Sequence, residues 1–199
     1  MHGAAGGIGT ALLQLGRIAG LELYGTGSAT QTGVISALGA TAIDYTKSSF
    51  VERIRELTSD GVDVAFDGTG GTVALGSYRI LRRGGRLVMY GHYGTTVGGR
   101  KSARKAALFY LSGALVFGGN LLPNGKRVLA FQVAKLRDRR PDWFREDATT
   151  LFDLLARREI EPIVADRFPL VDARWAHENL GRGGVTGTQV LVCDEAAVV

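Results

Sequence analysis

The stretch that decides the fold lies at the start of the chain, where residues 3–9 read GAAGGIG. The turn matches the fingerprint G-x-G-x-x-G at Gly6 and Gly9, with Ala4 in place of the first glycine. Gly6 would let the backbone approach a diphosphate, and Gly9 would let the next helix pack on the sheet. The apolar spacing of residues 8–19 predicts that helix, whose first amides would hold the phosphates. A glycine-rich turn that binds nothing is the alternative.

Beyond this turn, short apolar strands alternate with helices. Strands are predicted at LELYGT (21–26), TAIDY (41–45), VDVAFDG (62–68), RLVMYG (86–91) and GALVFGG (113–119). Helices are predicted over 31–40, 48–61, 71–85 and 102–111. Such continuously apolar strands are typical of a parallel sheet that helices cover on both faces. The fold class is therefore α/β, a doubly wound parallel sheet of the Rossmann type.

The second part of the chain has a different pattern. Residues 128–160 read as mostly helical with an interruption near Pro141, and a helix and a final strand, TGTQVLVCD, follow. A break in composition near 121–145 divides the chain into a Rossmann domain, 1–145, and a C-terminal helix and strand segment, 146–199.

Composition excludes several functional classes. The net charge of +5 invites a nucleic-acid partner, but the basic residues are scattered, and the run at 100–105 fits a solvated loop and first helical turn. A single cysteine, Cys193, and three histidines without ligand spacing predict no metal site. The absence of a signal-peptide pattern and of any apolar stretch near 20 residues predicts a cytoplasmic protein with no membrane partner.

The end of the predicted strand at 21–26 bears on cofactor choice. NAD-binding folds place an acidic residue here on the ribose 2′-hydroxyl, but this chain has GTGSATQ at residues 25–31. Without an acid there is no repulsion of a 2′-phosphate, and Ser28 offers a hydroxyl. The pattern favours NADP over NAD, although no neighbouring lysine or arginine completes the site.

Five segments together resemble a known family: HGAAGGIG, LGATAIDY, GVDVAFDGTGG, LRRGGRLVMYG and GGVTGTQVLV. Their order is similar to that of medium-chain dehydrogenases/reductases of the quinone oxidoreductase type, over nearly the whole chain. The tail from Asn120 to Leu170 is similar to the branch that includes homologues of vesicle amine transport protein.

The resemblance implies an NADPH-dependent, zinc-free oxidoreductase of quinones or activated enones. It implies that the diphosphate lies against Ala5, Gly6, Gly7 and Ile8, and the adenosine ribose and 2′-phosphate against Ser28 and Tyr45. It places Asp67, Gly68 and Thr69 beside the cofactor, Gly91, His92 and Tyr93 near the nicotinamide ribose, and Phe117, Gly118 and Asn120 near the carboxamide. It names no catalytic residue, and an exposed loop position is the alternative for His92.

Two positions depart from the family pattern. The family often has a lysine shortly after the position of Ser28, and it usually has one after the last TG, where this chain has Thr188. A lost charge-assisted phosphate contact costs about 1.5–3 kcal/mol, so both departures lower the expected NADPH affinity.

The resemblance also implies parts that this chain lacks. Family members begin with a catalytic domain and a first Rossmann strand, whereas Met1 stands where that strand ends. A start site assigned too far downstream, a split protein and a remnant are the hypotheses. We expect a homo-oligomer or a partner chain that completes the sheet. We expect no host for 146–199, which in the family packs on the catalytic domain, and cofactor binding rather than full catalysis.

Two other functions compete with this interpretation. A non-catalytic nucleotide-binding or partner-binding remnant fits the missing domain. A methyltransferase shares the doubly wound fold, but GAAGGIG and YGTGS suit it poorly.

Overall fold

The chain alternates helices with mostly parallel strands, as the sequence predicts. The computed structural model describes residues 1–91, 96–97, 100–101 and 103–193. The strands are β1 (Tyr24–Gly27), β2 (Thr41–Asp44), β3 (Val62–Asp67), β4 (Leu81–Met89), β5 (Thr96–Val97), β6 (Arg100–Lys101), β7 (Arg127–Ala130), β8 (Val164–Pro169) and β9 (Thr188–Val192). The helices are α1 (Gly7–Ile18), α2 (Thr32–Ala37), α3 (Phe50–Leu57), α4 (Thr72–Arg79), α5 (Ala103–Gly118), α6 (Val133–Arg139), α7 (Pro141–Ala156) and α8 (Ala173–Arg182).

The first four residues join two groups of parallel strands. β1 pairs with β2, and β3, β4 and β7 form the other group in that order. The amino group of Met1 donates to Tyr24 O at 2.8 Å, and Ala4 N donates to Thr26 O at 3.1 Å. On the other side, His2 N donates to Phe66 O at 3.0 Å. Residues 1–4 therefore lie between the two strand groups and form backbone hydrogen bonds with both.

The side chain of His2 strengthens the same junction. Its Nδ1 lies 3.1 Å from Thr26 Oγ1 on β1, and its Nε2 lies 2.9 Å from Ser77 Oγ on α4. The ring meets Phe50 of α3 edge to face, with centroids 4.6 Å apart. Burial, with a smaller effect from the positive amino terminus, lowers the pKa of His2 to about 3. The ring is thus a neutral buried connector between elements that are distant in sequence.

The apolar core lies on both faces of the sheet. One cluster joins the inner face of β3, β4 and β7 to α4 and α5, and its largest fully buried members are Leu87 and Val116. A second cluster packs α1 and α2 against the start of the chain through Leu13, Ile35 and Ala4. This arrangement confirms the prediction of a sheet covered on both faces.

Two predicted elements are wrong. Residues 113–119, which were predicted to form a strand, mostly belong to the end of α5. The strand expected there is instead β7, which overlaps a segment predicted as helical. A short apolar run does not distinguish a buried strand from the apolar side of a helix. Similarly, the helix predicted over 71–85 ends at Arg79, and β4 already begins at Leu81. Gly84, at a φ of 77°, allows β4 to continue through residues 84–85, where its register with β3 shifts.

The C-terminal segment forms a small unit of its own. β8 pairs in parallel with β9, and α8 lies between them in sequence. α7 buries Leu154 but leaves Trp143 and Phe152 largely exposed. In the part of the chain that the structure describes, no helix is both long and apolar enough to cross a bilayer.

The buried neutral histidine makes a pH-dependent prediction. A base whose pKa is lowered by folding stabilises the fold above its unfolded-state pKa of 6.5, and this contribution is lost as the pH falls toward 3. Between pH 7.5 and pH 5 the wild-type chain should lose about 2 kcal/mol more of its unfolding free energy than His2→Gln loses. Urea titrations at the two pH values measure this difference.

The exposed residue His177 provides the control. His177→Gln should keep the pH dependence of the wild type, because its side chain lies at the surface. Equal pH dependence in the wild type and in His2→Gln would show that His2 is not the titrating group.

Candidate dinucleotide site

The glycine-rich turn presents a set of uncapped amides. Gly6 is the N-cap of α1, with extended dihedrals of φ −78° and ψ 172°, and no side chain caps the helix. The first turn of an α-helix has N–H groups without intrahelical partners, and they carry the positive end of the helix dipole. No acidic residue stands in this first turn. The turn of Ala5, Gly6, Gly7 and Ile8 therefore has the geometry and charge of an anion cradle.

The structure separates the roles of the two fingerprint glycines. A Cβ at Gly9 would overlap the carbonyl oxygens of Gly3 and Ala4, so this glycine is required by packing. A Cβ at Gly6 would stand 3.4 Å from Gly3 O, which is ordinary contact, and its φ is negative. Packing among the described residues therefore does not require a glycine at position 6.

Ser28 and Tyr45 come together at the ends of neighbouring strands. Gly27 and Asp44 are partners in the parallel pairing of β1 with β2, and Tyr45 N donates to Gly27 O at 3.2 Å. The hydroxyl of Ser28 lies 3.2 Å from Gln31 Oε1 within the following turn. The Tyr45 side chain is exposed. These two residues thus form the edge at which the sequence predicts the adenosine ribose and its phosphate.

Asp67 organises the end of the next strand, β3. Its Oδ1 accepts hydrogen bonds from Thr69 N at 2.7 Å and Gly70 N at 3.0 Å, while its buried Oδ2 has no hydrogen-bond partner among the described residues. Burial raises the pKa of this carboxyl group, and the two backbone hydrogen bonds oppose the rise. The carboxyl group fixes the turn that contains Gly68 and Thr69.

Gly68 and Gly91 lie against each other where β3 and β4 end. A Cβ at Gly91 would come within 2.7 Å of Gly68 O, and a Cβ at Gly68 would come within 2.8 Å of the Tyr90 ring. The two predicted positions are therefore neighbours. His92 and Tyr93, which the resemblance places next to them, lie outside the described residues.

The last predicted group, Phe117, Gly118 and Asn120, is not at the end of a strand. Phe117 and Gly118 end α5, where a strand was predicted. Asn120 holds the neighbouring strand: its Oδ1 accepts from Val128 N at 2.7 Å, and its Nδ2 donates to Val128 O at 3.2 Å. The role of these residues at the carboxamide stays a prediction, and Phe117 lines the cavity described next.

A large apolar cavity adjoins the strand ends. Its volume is about 1150 Å³, and its lining includes Ile8 and Leu12 of α1 and one side of α5. The ends of three strands also line it, with Phe66 from β3, Met89–Gly91 from β4 and Ala130–Gln132 from β7. The sequence missed the last of these because its segment was predicted as helical. The apolar run before Phe131 is a signal that could have identified the strand.

The C-terminal segment reaches back to the glycine-rich turn. Gly187 N donates to Ala5 O at 2.6 Å, and Gly6 and Gly187 form a parallel bridge. A Cβ at Gly7 would overlap Thr188 Oγ1, so the hydroxyl of Thr188 stands directly over the turn. These contacts attach the loop before β9 to the glycine-rich turn. The expectation that 146–199 lacks the domain on which it packs in the family stays a prediction.

Gln14 makes a second attachment, which the sequence did not reveal. This buried α1 side chain donates through Nε2 to Glu161 O at 2.9 Å and accepts at Oε1 from Glu161 N at 2.6 Å. The amide group thereby pairs with a main-chain residue as a neighbouring strand would. A contact over almost 150 residues leaves no periodic signal in the sequence.

Metal ligands do not cluster in the described residues. No group of three or more histidine, cysteine, aspartate or glutamate side chains there has the arrangement of a metal site. The zinc-free character that the resemblance implies stays a prediction.

Comparisons with known proteins agree with this geometry. A family described as zinc-binding dehydrogenase matches residues 38–191. The synaptic vesicle membrane protein VAT-1 homolog of Danio rerio is 28% identical over 172 residues, which cover 85% of this chain and 35% of that protein. VAT-1 of Tetronarce californica is 28% identical over 183 residues, or 91% of this chain and 46% of that protein. The chain thus spans less than half the length of these relatives.

Solved structures give the same result. The quinone oxidoreductase of Pseudomonas syringae pv. Tomato DC3000 superposes on 96% of this chain with a TM-score of 0.75 and 25% identity. The Escherichia coli quinone oxidoreductase complexed with NADPH superposes on 96% of the chain with a TM-score of 0.73 and 27% identity. In each case the chain covers 55% of the solved protein.

The Gln14 contact predicts how the C-terminal segment is held. Gln14→Ala leaves the amide and carbonyl groups of Glu161 without their partner, so we expect it to cost about 1–3 kcal/mol of stability. Hydrogen exchange should be faster at the amide of Glu161, whose N–H donates to Gln14 Oε1 in the wild type. Gln132→Ala, at an exposed position, is the control and should leave this exchange unchanged. Slow exchange at Glu161 in Gln14→Ala would contradict the attachment.

Proposed function

Because the chain belongs to the zinc-binding dehydrogenase family, the medium-chain dehydrogenases/reductases that the sequence resembles, we propose that it is the NADPH-binding part of a quinone or enone reductase. The observation that carries this proposal is Gly6. It is a glycine that packing does not require, and it stands at the uncapped start of a helix and at the edge of a parallel sheet.

The residues of the turn fit a dinucleotide diphosphate. The amides of Gly7 and Ile8 would bind the phosphate oxygens, and the missing side chain of Gly6 leaves room for them. Thr188 Oγ1, above Gly7, would be a further hydroxyl at the same place. A bound nicotinamide supplies the hydride of the reaction, and the chain's role is to hold and orient it.

The edge formed by Ser28 and Tyr45 supports NADPH over NADH. Residues 25–31 contain no carboxylate that would pair with a free ribose 2′-hydroxyl or repel a 2′-phosphate. A solved relative, the Escherichia coli quinone oxidoreductase, is described as a complex with NADPH. Both points favour the phosphorylated cofactor for this chain.

The apolar cavity supports a substrate with an apolar conjugated ring or chain. Its walls at Phe66, Met89 and Phe131 stand beside the strand ends, where a nicotinamide ring would lie. Apolar walls exclude water from a hydride transfer and position a flat substrate by contact. Quinones and enones fit this chemistry, and the solved relatives include quinone oxidoreductases.

The exposed apolar surface beside the sheet supports the further proposal that another polypeptide covers it. β7 is the outermost strand of its group, and Leu129 and Phe131 are each 48% exposed. Exposed apolar side chains beside an open strand edge are typical of surfaces that another polypeptide covers. A second copy or a partner chain would close this region, with 1–145 as the dinucleotide-binding domain and 146–199 as the segment that in the family packs on the catalytic domain. A cytoplasmic location is proposed with it, although the name of the relatives refers to a vesicle membrane.

A pair of glycine variants tests the cofactor site. Gly6→Ala should keep the unfolding free energy within about 1 kcal/mol, because its φ suits alanine, yet it should weaken NADPH binding at least about tenfold by blocking the diphosphate. Gly9→Ala should cost about 1–3 kcal/mol of stability by overlap with the turn. Nicotinamide fluorescence and urea unfolding measure the two quantities.

Gly33→Ala is the matched control, since nothing lies within 4 Å of a Cβ at that helical position. It should leave NADPH affinity unchanged. Equal NADPH affinity in the wild type and in Gly6→Ala would overturn the role of the turn.

A turnover assay tests the reaction class. We expect the chain, once a second copy or a partner chain completes the site, to oxidise NADPH faster than NADH in the presence of a benzoquinone or an α,β-unsaturated ketone, measured as loss of absorbance at the nicotinamide band. Light scattering on the same sample gives its oligomeric state. Saturable NADPH binding without turnover of either substrate would favour the non-catalytic nucleotide-binding alternative.

A further inference from the structure

The adenosine edge of the proposed site lacks a cation in its own turn. Between Glu22 and Asp44 the sequence contains no charged residue. The parallel pairing of Gly27 with Asp44 brings the end of β2 to the same edge as Ser28. Lys47, three residues after the end of β2, is the first positively charged residue that follows this edge in the chain.

Hydrogen bonds around Asp44 hold the turn that carries Lys47. Asp44 Oδ1 accepts from Thr46 N at 2.9 Å and from Thr46 Oγ1 at 2.6 Å. Lys47 N donates to Asp44 O at 3.2 Å, and Tyr45 N donates to Gly27 O at 3.2 Å. The backbone of this turn is therefore fixed beside the end of β1, while the lysine side chain extends from it.

The ammonium group of Lys47 has a long contact with a carboxylate. Its Nζ lies 3.7 Å from Asp44 Oδ2, and the lysine side chain is 76% exposed, whereas the Asp44 side chain is 11% exposed. The ammonium group itself therefore faces solvent, and a phosphate monoester would offer it up to two charges and three acceptor oxygens. A phosphate at the Ser28 edge would therefore compete well for this ammonium group.

We propose that Lys47 is the residue by which this chain selects NADPH over NADH, exchanging its contact with Asp44 for the ribose 2′-phosphate. This inference rests on the proposed function, because it needs a dinucleotide in the turn at Gly6. The positive charge that would pair with the 2′-phosphate then comes from the turn after β2, because the turn after β1 contains no charged residue.

The loop after α8 provides the rival cation for the same edge. Gln31 Nε2 donates to Val185 O at 3.2 Å, so this loop also approaches the Ser28 turn. Its nearest basic residue, Arg182, has its guanidinium group 5.2 Å from the centre of the Trp175 ring. That stacking engages Arg182 elsewhere, whereas Lys47 remains exposed.

The test compares the affinities of NADPH and NADH in matched variants of the full chain, measured by nicotinamide fluorescence. Lys47→Gln should lower NADPH affinity about tenfold and leave NADH affinity unchanged. Lys47→Arg should restore the preference. Asp44→Asn, which keeps an oxygen for Thr46 and removes the competing charge, should raise NADPH affinity. Lys135→Gln, on α6, is the control and should behave as the wild type.

The outcomes separate this inference from the function on which it rests. A wild-type chain that prefers NADPH, with the preference kept in Lys47→Gln or lost only in Arg182→Gln, would overturn the role of Lys47 and leave the proposed function intact. Equal binding of NADPH and NADH by the wild type would also overturn it. Binding of neither dinucleotide would overturn both.

Discussion

The structure depends on a short ladder of backbone hydrogen bonds made by residues 1–4. His2 N reaches Phe66 O on one side, and Ala4 N reaches Thr26 O on the other, so these residues join the two strand groups. The dinucleotide turn begins directly after this ladder, and its position is therefore set by both groups at once. Ser28, Asp67 and the uncapped amides share one edge of the sheet because this junction aligns the strands that carry them.

Buried polar side chains form several of the hydrogen bonds between residues that are far apart in sequence. His2 links β1 to α4, Asp67 fixes the turn after β3, and Gln14 pairs with the main chain at Glu161. Burying a polar group costs free energy unless it is hydrogen-bonded. Each of these side chains therefore favours the arrangement of the chain in which its partners are within reach. Apolar packing brings the layers together, and these groups specify which parts of each layer meet.

The sequence predicted the parts of the fold that follow from local pattern. The alternation of strands and helices is confirmed, and Ser28 and Tyr45 follow two neighbouring parallel strands. The strand at 127–130 was missed because its segment was predicted as helical, although the apolar run before Phe131 is a signal for it, and its pairing with β4 shows its place in the sheet. The pairing of Gln14 with Glu161 was also beyond reach, since it joins residues that share no local pattern. The assignment of cofactor contacts to individual residues stays a prediction.

The bridge between the glycine-rich turn and Gly187 has a kinetic consequence. It joins residues about 180 positions apart, which makes it one of the least local contacts that the chain can form. Contacts of this kind close large loops and tend to form late, after local elements are in place. During synthesis, the surroundings of the glycine-rich turn would therefore be completed only after Gly187 has left the ribosome.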